Sequence, residues 1–70
     1  MLTISRNLKA AIKLGPERAY RVARRAGISP TTLSKLMNGI VEVKPDDPRV
    51  VAVGKVLGVE ASKCFEQIQL

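Results

Sequence analysis

Histidine and tryptophan are missing from this chain of 70 residues, cysteine occurs once, as Cys64, and the only aromatic side chains are Tyr20 and Phe65. One cysteine cannot form a disulfide within the chain. Without histidine it cannot build a Cys/His zinc site, and a serine–histidine triad is excluded by the same composition. The lone thiol fits a reducing compartment, and its simplest role is that of a small buried apolar residue. No stretch approaches the roughly 18 consecutive apolar residues of a membrane span. The first residues lack the apolar core and small-residue cleavage site of a signal peptide. A cytoplasmic protein without membrane attachment is therefore expected. A glycine-rich phosphate loop is also lacking. No catalytic residue, cofactor, metal or small-molecule substrate is expected, and the chain does not read as an enzyme.

What is present is a core-forming alphabet of Leu, Ile, Val and Ala within a hydrophobic fraction of 46%. That suits packed helices in one small domain over residues 1–70. The charge is unevenly placed. Residues 1–35 hold eight basic side chains against Glu17 alone, a net +7, whereas residues 36–70 hold four basic against five acidic side chains. A cationic half beside a balanced half points to a polyanionic partner, nucleic acid or an anionic surface.

Hydrophobic periodicity predicts five short helices. The first covers about 3–13, with Ile4, Leu8, Ala11 and Ile12 on one stripe and Arg6, Lys9 and Lys13 on the solvent side; Gly15 stops it. The second covers about 16–25, with Pro16 in its first turn. Ala19, Val22, Ala23 and Ala26 form a narrow inward face of small residues, and Arg18, Arg21 and Arg25 share another face. Gly27 ends this helix in the left-handed conformation that glycine adopts cheaply. The third starts at once, with Ser29 as N-cap and Pro30 at the first helical position. Leu33, Leu36 and Met37 face inward, Thr31, Lys35 and Asn38 lie opposite, and Gly39 follows. Residues 40–47 allow a short extended segment, in which Ile40, Val41 and Val43 either pack under the bundle or serve a dimer contact. Asp47 caps a fourth helix over 48–57; here it is a cap rather than a catalytic acid. Gly54 inside that helix costs about 1 kcal/mol relative to alanine, which close approach of another backbone would explain. A fifth helix is expected over 60–69, with Ala61, Cys64, Phe65 and Ile68 at helical spacing and Phe65 as a core anchor. Tyr20 is expected to be partly buried.

Two helices joined by a glycine-containing turn form a helix-turn-helix, here over about 17–38. Such a unit needs a small residue where the helices cross, supplied by Ala23, and a residue free to take positive φ, supplied by Gly27. Apolar residues must fill the angle between the helices, and Val22, Ala26, Ile28, Leu33 and Leu36 do so. These seven positions stand in register. With them in place, the stretches "VARRAGISPTTLSKLMNG" and "VGKVLGVEASKCF" make the chain resemble the Cro/repressor-type (XRE-like) helix-turn-helix DNA-binding domains over nearly its whole length. The loop after Gly39 is about two residues longer than usual in that family. The resemblance implies an all-α, lambda-repressor-like bundle of five helices whose third helix enters the major groove while the second crosses the backbone. By position it assigns Ser29, Pro30, Thr31 and Lys35 to the DNA-facing surface, with Thr32 and Ser34 beside them. Lys35 suits guanine O6/N7, and Thr31 suits a hydrogen bond or the thymine methyl. Asn38 resembles the family residue near the backbone after the recognition helix. Arg18, Arg21, Arg24 and Arg25 are candidates for phosphate contacts. Two positions depart from the family: Ala19 stands where glutamine often binds a phosphate, and Pro30 brings no donor to a frequent base-reading position. Direct readout then rests on Thr31 and Lys35, with a larger share from phosphate contacts and DNA shape.

The expected function is sequence-specific double-stranded DNA binding by a small transcriptional regulator, a repressor of prokaryotic or phage type, acting as a homodimer on DNA. The alternatives are a protein partner, with the fold serving as an antitoxin or interaction module, and binding of structured RNA, which shares the charge signature.

Overall fold

Three of the four described helices begin behind a residue whose side chain caps them: Ser5, Ser29 and Asp47. The computed structural model describes residues 2–67. Their order is β1 (Leu2–Ile4), α1 (Arg6–Leu14), α2 (Ala19–Ala26), α3 (Pro30–Met37), α4 (Pro48–Leu57), a 3-10 turn (Ala61–Lys63) and β2 (Phe65–Gln67). Among the described residues the domain is thus mostly helical, with four helices and one two-stranded antiparallel sheet. No described helix is long and apolar enough to cross a membrane.

The sheet corrects two expectations. In place of a fifth helix over 60–69, the chain makes a single 3-10 turn and then extends into β2, so the domain is not purely α. Ile68 and Gln69, which the periodicity put in that helix, lie outside the described residues. The first helix starts at Arg6 rather than Thr3, because residues 2–4 form β1 and pair Leu2 with Gln67, Thr3 with Glu66 and Ile4 with Phe65. The reason is a long-range lock at Ser5. Its amide donates to the Cys64 carbonyl at 2.8 Å and its hydroxyl donates to the Lys63 carbonyl at 2.6 Å. The same hydroxyl accepts the Leu8 amide as the N-cap of α1. A capping serine must be extended, and an extended Ser5 delivers residues 2–4 to β2.

The second helix also starts later than expected, at Ala19, with Arg18 as its uncapped N-cap residue. Gly15 precedes proline, which disfavours the helical region; it is extended, at φ −71° and ψ 162°. Residues 15–18 therefore cross from α1 to α2 without helical turns. Ala19 is exposed rather than inward, so the inward face of α2 is carried by Val22 and Ala23, both fully buried, with Ala26 half-buried.

The core collects Ile4 from β1, Leu8 and Ile12 from α1, Val22 and Ala23 from α2, Leu33 and Leu36 from α3, Val50 and Val53 from α4, with Val43 and Cys64. Ile28, Met37 and Phe65 pack at its edge. Helix α2 lies against both α3 and α4. Residues 40–44 form no strand; Val43 is buried beneath the bundle and Val41 packs beside the core, while Ile40 stays 71% exposed.

Helix α4 begins as the sequence indicates, at Pro48 behind the cap Asp47. Asp47 is almost fully buried, and its carboxylate accepts the Arg49 amide at 3.1 Å and the Arg49 side chain at 2.7 and 3.0 Å. The Arg49 guanidinium, outweighing the opposing effect of burial, holds the Asp47 carboxyl down at about 2. Gly54 on α4 does meet a close approach. A β-carbon built there would lie 2.4 Å from Cys64 Sγ and 3.0 Å from the Val59 carbonyl oxygen. Cys64 itself is fully buried, as its composition-based role requires, and burial raises its thiol pKa.

Candidate nucleic-acid interface

The turn between α2 and α3 is built from backbone bonds that only one local conformation permits. Gly27 sits at φ +79° and ψ 22°, its amide donates to the Arg24 carbonyl at 3.1 Å, and the Ile28 amide reaches back to the Ala23 carbonyl at 3.0 Å. These are the two bonds of a Schellman ending. They satisfy the Ala23 and Arg24 carbonyls, two of those left over by α2, and turn the chain within two residues. Ser29 then takes extended angles and accepts the Thr32 amide on its hydroxyl at 3.1 Å, with Pro30 in the first turn of α3. Ala23 at the crossing is fully buried, and Leu33 and Leu36 seat α3 in the core. The helix-turn-helix geometry expected from these residues is present.

With its apolar side anchored, α3 leaves Pro30, Thr31, Ser34 and Lys35 exposed, and Asn38 exposed at its end. The side chains of Thr31 and Lys35 make no hydrogen bond or ion pair with any described residue, although the Lys35 carbonyl accepts the Ile40 amide at 3.0 Å. The polar atoms of these side chains stand ready for a partner outside the chain. Ser29 and Thr32 are differently placed. Their hydroxyls bond one another at 2.8 Å and Thr32 is half-buried, so much of their capacity is used in capping α3. Asn38 donates its side-chain amide to the Ser34 carbonyl at 2.9 Å and closes the helix from its C-terminal side.

On α2 the arginines are all exposed but not equivalent. Arg18, Arg21, Pro16 and Glu17 border one shallow groove with Tyr20, and Arg21, Arg24, Arg25 and Glu17 border another. The Arg24 guanidinium lies 6.0 Å from the centroid of the Tyr20 ring, at the limit of a cation–π contact. Tyr20 is 46% exposed. Arg25 is bonded to the Glu17 carboxylate.

Two residues of this surface escaped the sequence reading. Lys13, assigned there to plain solvent, lines the groove between α1, α2 and α3 together with Ala19, Pro30, Ser34 and Asn38. Nothing in its spacing separates it from Lys9, because the fold alone brings the end of α1 beside α3. Glu17 is the second, and it did carry a signal, as the single acidic residue in the cationic half. The surface gathered around α2 and α3 thus offers exposed cations, hydroxyls and an amide to a polyanion, beside a helix of the width that a DNA major groove admits.

Neither the curated proteins nor the solved structures contain a match to this chain. A family model described as helix-turn-helix (HTH_3) matches residues 19–63, which run from the start of α2 to the end of the 3-10 turn. The match covers more than half of the sequence and includes the whole α2–turn–α3 unit. The chain therefore belongs to the helix-turn-helix family of the Cro/repressor (XRE-like) type, a lambda-repressor-like, non-catalytic domain that implies DNA as the partner.

Proposed function

We propose that this protein is a sequence-specific regulator of transcription of the small repressor type, which places α3 in the major groove of duplex DNA. The observation that carries the reading is the pairing of a rigid turn with a polar helix face that has no internal role. Thr31 and Lys35 are exposed and unengaged among the described residues, on a helix whose opposite side is locked into the core. In this reading Lys35 and Thr31 are the principal base readers, and Ser34 and Pro30 contact base edges by shape. Ser29 and Thr32 mainly hold the start of α3 in register, since their hydroxyls are already bonded. Arg18 at the N-cap of α2 and Arg21, Arg24 and Arg25 on it, with Asn38 at the end of α3, meet phosphates and fix the docking angle.

A homodimer on a two-fold site is part of the proposal. One helix of eight residues reads few base pairs, and Ile40 presents an apolar side chain to solvent beside the half-buried Val41. Sedimentation that finds a monomer both free and on the best duplex overturns the dimer without touching the docking assignment.

The test starts from binding sites selected out of random duplex DNA. Lys35→Ala reduces discrimination at one base pair by roughly 1–3 kcal/mol. Arg21→Ala weakens all duplexes alike and lowers the slope of log K against log salt by about 1. If both variants keep native affinity and selectivity, α2 and α3 are not the docking surface.

A further inference from the structure

Glu17 is the one carboxylate among residues 1–35, in company with eight basic side chains. It stands in the segment that joins α1 to α2 and borders a shallow groove with Arg21, Arg24 and Arg25. Its carboxylate accepts a hydrogen bond from Arg25 Nη1 and forms an ion pair with it, reaching from the start of α2 to its last turn. The Glu17 side chain is 28% exposed and that of Arg25 is 56% exposed. The carboxylate is tucked among the arginines while the guanidinium stays open to solvent.

Such a pair is of little use to the fold. Solvent-exposed Arg–Glu bridges contribute little to stability, and the turn after Arg25 is already closed by the backbone bonds of Gly27 and Ile28. Its electrostatic consequence is larger. A guanidinium fork matches a carboxylate and a phosphate with the same two-donor geometry. A phosphate approaching α2 must either displace Glu17 from Arg25 or accept a like charge beside it. Both cost affinity, and neither depends on base sequence.

We propose that Glu17 is an affinity-setting residue, a resident competitor for the DNA backbone that occupies Arg25 and weakens binding to every duplex by a common factor. The inference rests on the reading of α2 as the phosphate-facing helix. In this role Glu17 holds down the sequence-independent share of binding, which a half-domain of net charge +7 would otherwise make strong. Preference among sequences, set on α3, is untouched.

The experiment is a fluorescence-anisotropy titration of the full chain against a random-sequence duplex over a salt series, with thermal melts to establish that each variant is folded. Glu17→Gln keeps the size and removes the charge. It tightens binding roughly three- to tenfold at low salt, the effect of one unit charge a few ångströms from a phosphate in water. It also steepens the slope of log K against log salt by up to about 0.9 as Arg25 engages a phosphate. Arg25→Ala costs more affinity in the Glu17→Gln background than in the native chain. Unchanged affinity in Glu17→Gln overturns the proposal, and so does weakened binding, which would make Glu17 a positioning residue for Arg25. Arg21→Ala and Arg18→Ala, titrated in parallel, separate the two levels. If they weaken binding while Glu17→Gln does not tighten it, only the inference about Glu17 falls. If they leave affinity unchanged, the assignment of α2 to the phosphates falls as well.

Discussion

Replacing Gly54 by alanine should destabilise this domain, although the same change stabilises an ordinary helix. In an exposed helix interior alanine gains about 1 kcal/mol over glycine. Here the added β-carbon would sit 2.4 Å from Cys64 Sγ and 3.0 Å from the Val59 carbonyl oxygen. Optimal separations between carbon atoms are roughly 3.5–4.0 Å, so the first overlap exceeds an ångström and the second involves backbone. Neither neighbour yields readily. Cys64 is fully buried and its thiol lies 3.2 Å from the Glu60 carbonyl. The Val59 amide is tied to the Gly54 carbonyl at 2.8 Å by the turn at Gly58. Overpacking of this kind costs about 1–3 kcal/mol, and two hard contacts put it at the upper end. After subtracting the propensity gain, the net loss is about 2 kcal/mol. For a domain of this size that lowers Tm by roughly 8–16 °C, readable by circular dichroism. The Cys64→Ala background removes the sulfur and supplies the space, so the double variant should be more stable than the sum of the single losses by about 1–2 kcal/mol. Rescue is incomplete because the Val59 oxygen remains. A Gly54→Ala variant that melts above the native protein, or a strictly additive double variant, would refute the reasoning.

The remaining predictions concern the caps and the turn. Asp47 titrates at about 2 in the folded protein against an ordinary 3.8, chiefly through the hydrogen bonds of the Arg49 side chain. A depressed carboxylate stabilises the fold above its unfolded pKa. That contribution is therefore complete above about pH 4 and disappears as the pH falls towards 2. It amounts to at most about 2 kcal/mol, because Arg49 is one-third exposed and its share is screened by solvent. Thermal melts between pH 2 and 5 should show this slope, and Asp47→Asn should abolish that part of it. Gly27→Ala meets no atom within 4 Å of the new β-carbon, so its cost is that of a left-handed alanine alone, about 1–2 kcal/mol. The folded fraction of that variant should bind DNA with native selectivity, measured by titration well below its melting temperature.

Much of the interface was legible because its rules are local. A glycine must follow α2 where the backbone turns left-handed, a hydroxyl must follow it to cap α3, and apolar residues must fall at fixed offsets to hold the two helices at their angle. Gly27, Ser29, Val22, Ala23, Leu33 and Leu36 satisfy these demands within a stretch of fifteen residues, and the structure places each accordingly. Asp47 and Pro48 announce α4 for the same reason. Side-chain engagement was less legible. The hydroxyl pair of Ser29 and Thr32 and the closure of Asn38 onto Ser34 depend on rotamers, so residues of equal chemical promise in the sequence differ in availability on α3.

The sequence by itself determined the helix-turn-helix, the start of α4, the apolar core and the segregation of positive charge into the first half of the chain. Each follows from conformational preferences and periodicity within one or two turns. Only the tertiary structure decided what becomes of the two ends. Ala61, Cys64 and Phe65 keep helical spacing, yet Phe65 enters β2 because Ser5, 59 residues from Cys64, takes that residue's carbonyl and opens β1 as a partner. A strand pair of three residues each has no local signature strong enough to outweigh a helical stripe. Its stability comes from the long-range bonds and from burial of Ile4, which exist only once the chain has closed. The same closure brings Lys13 beside α3 and seats Cys64 against Gly54. Spacing along the chain specified the reading unit, and contacts across it specified the frame that holds it.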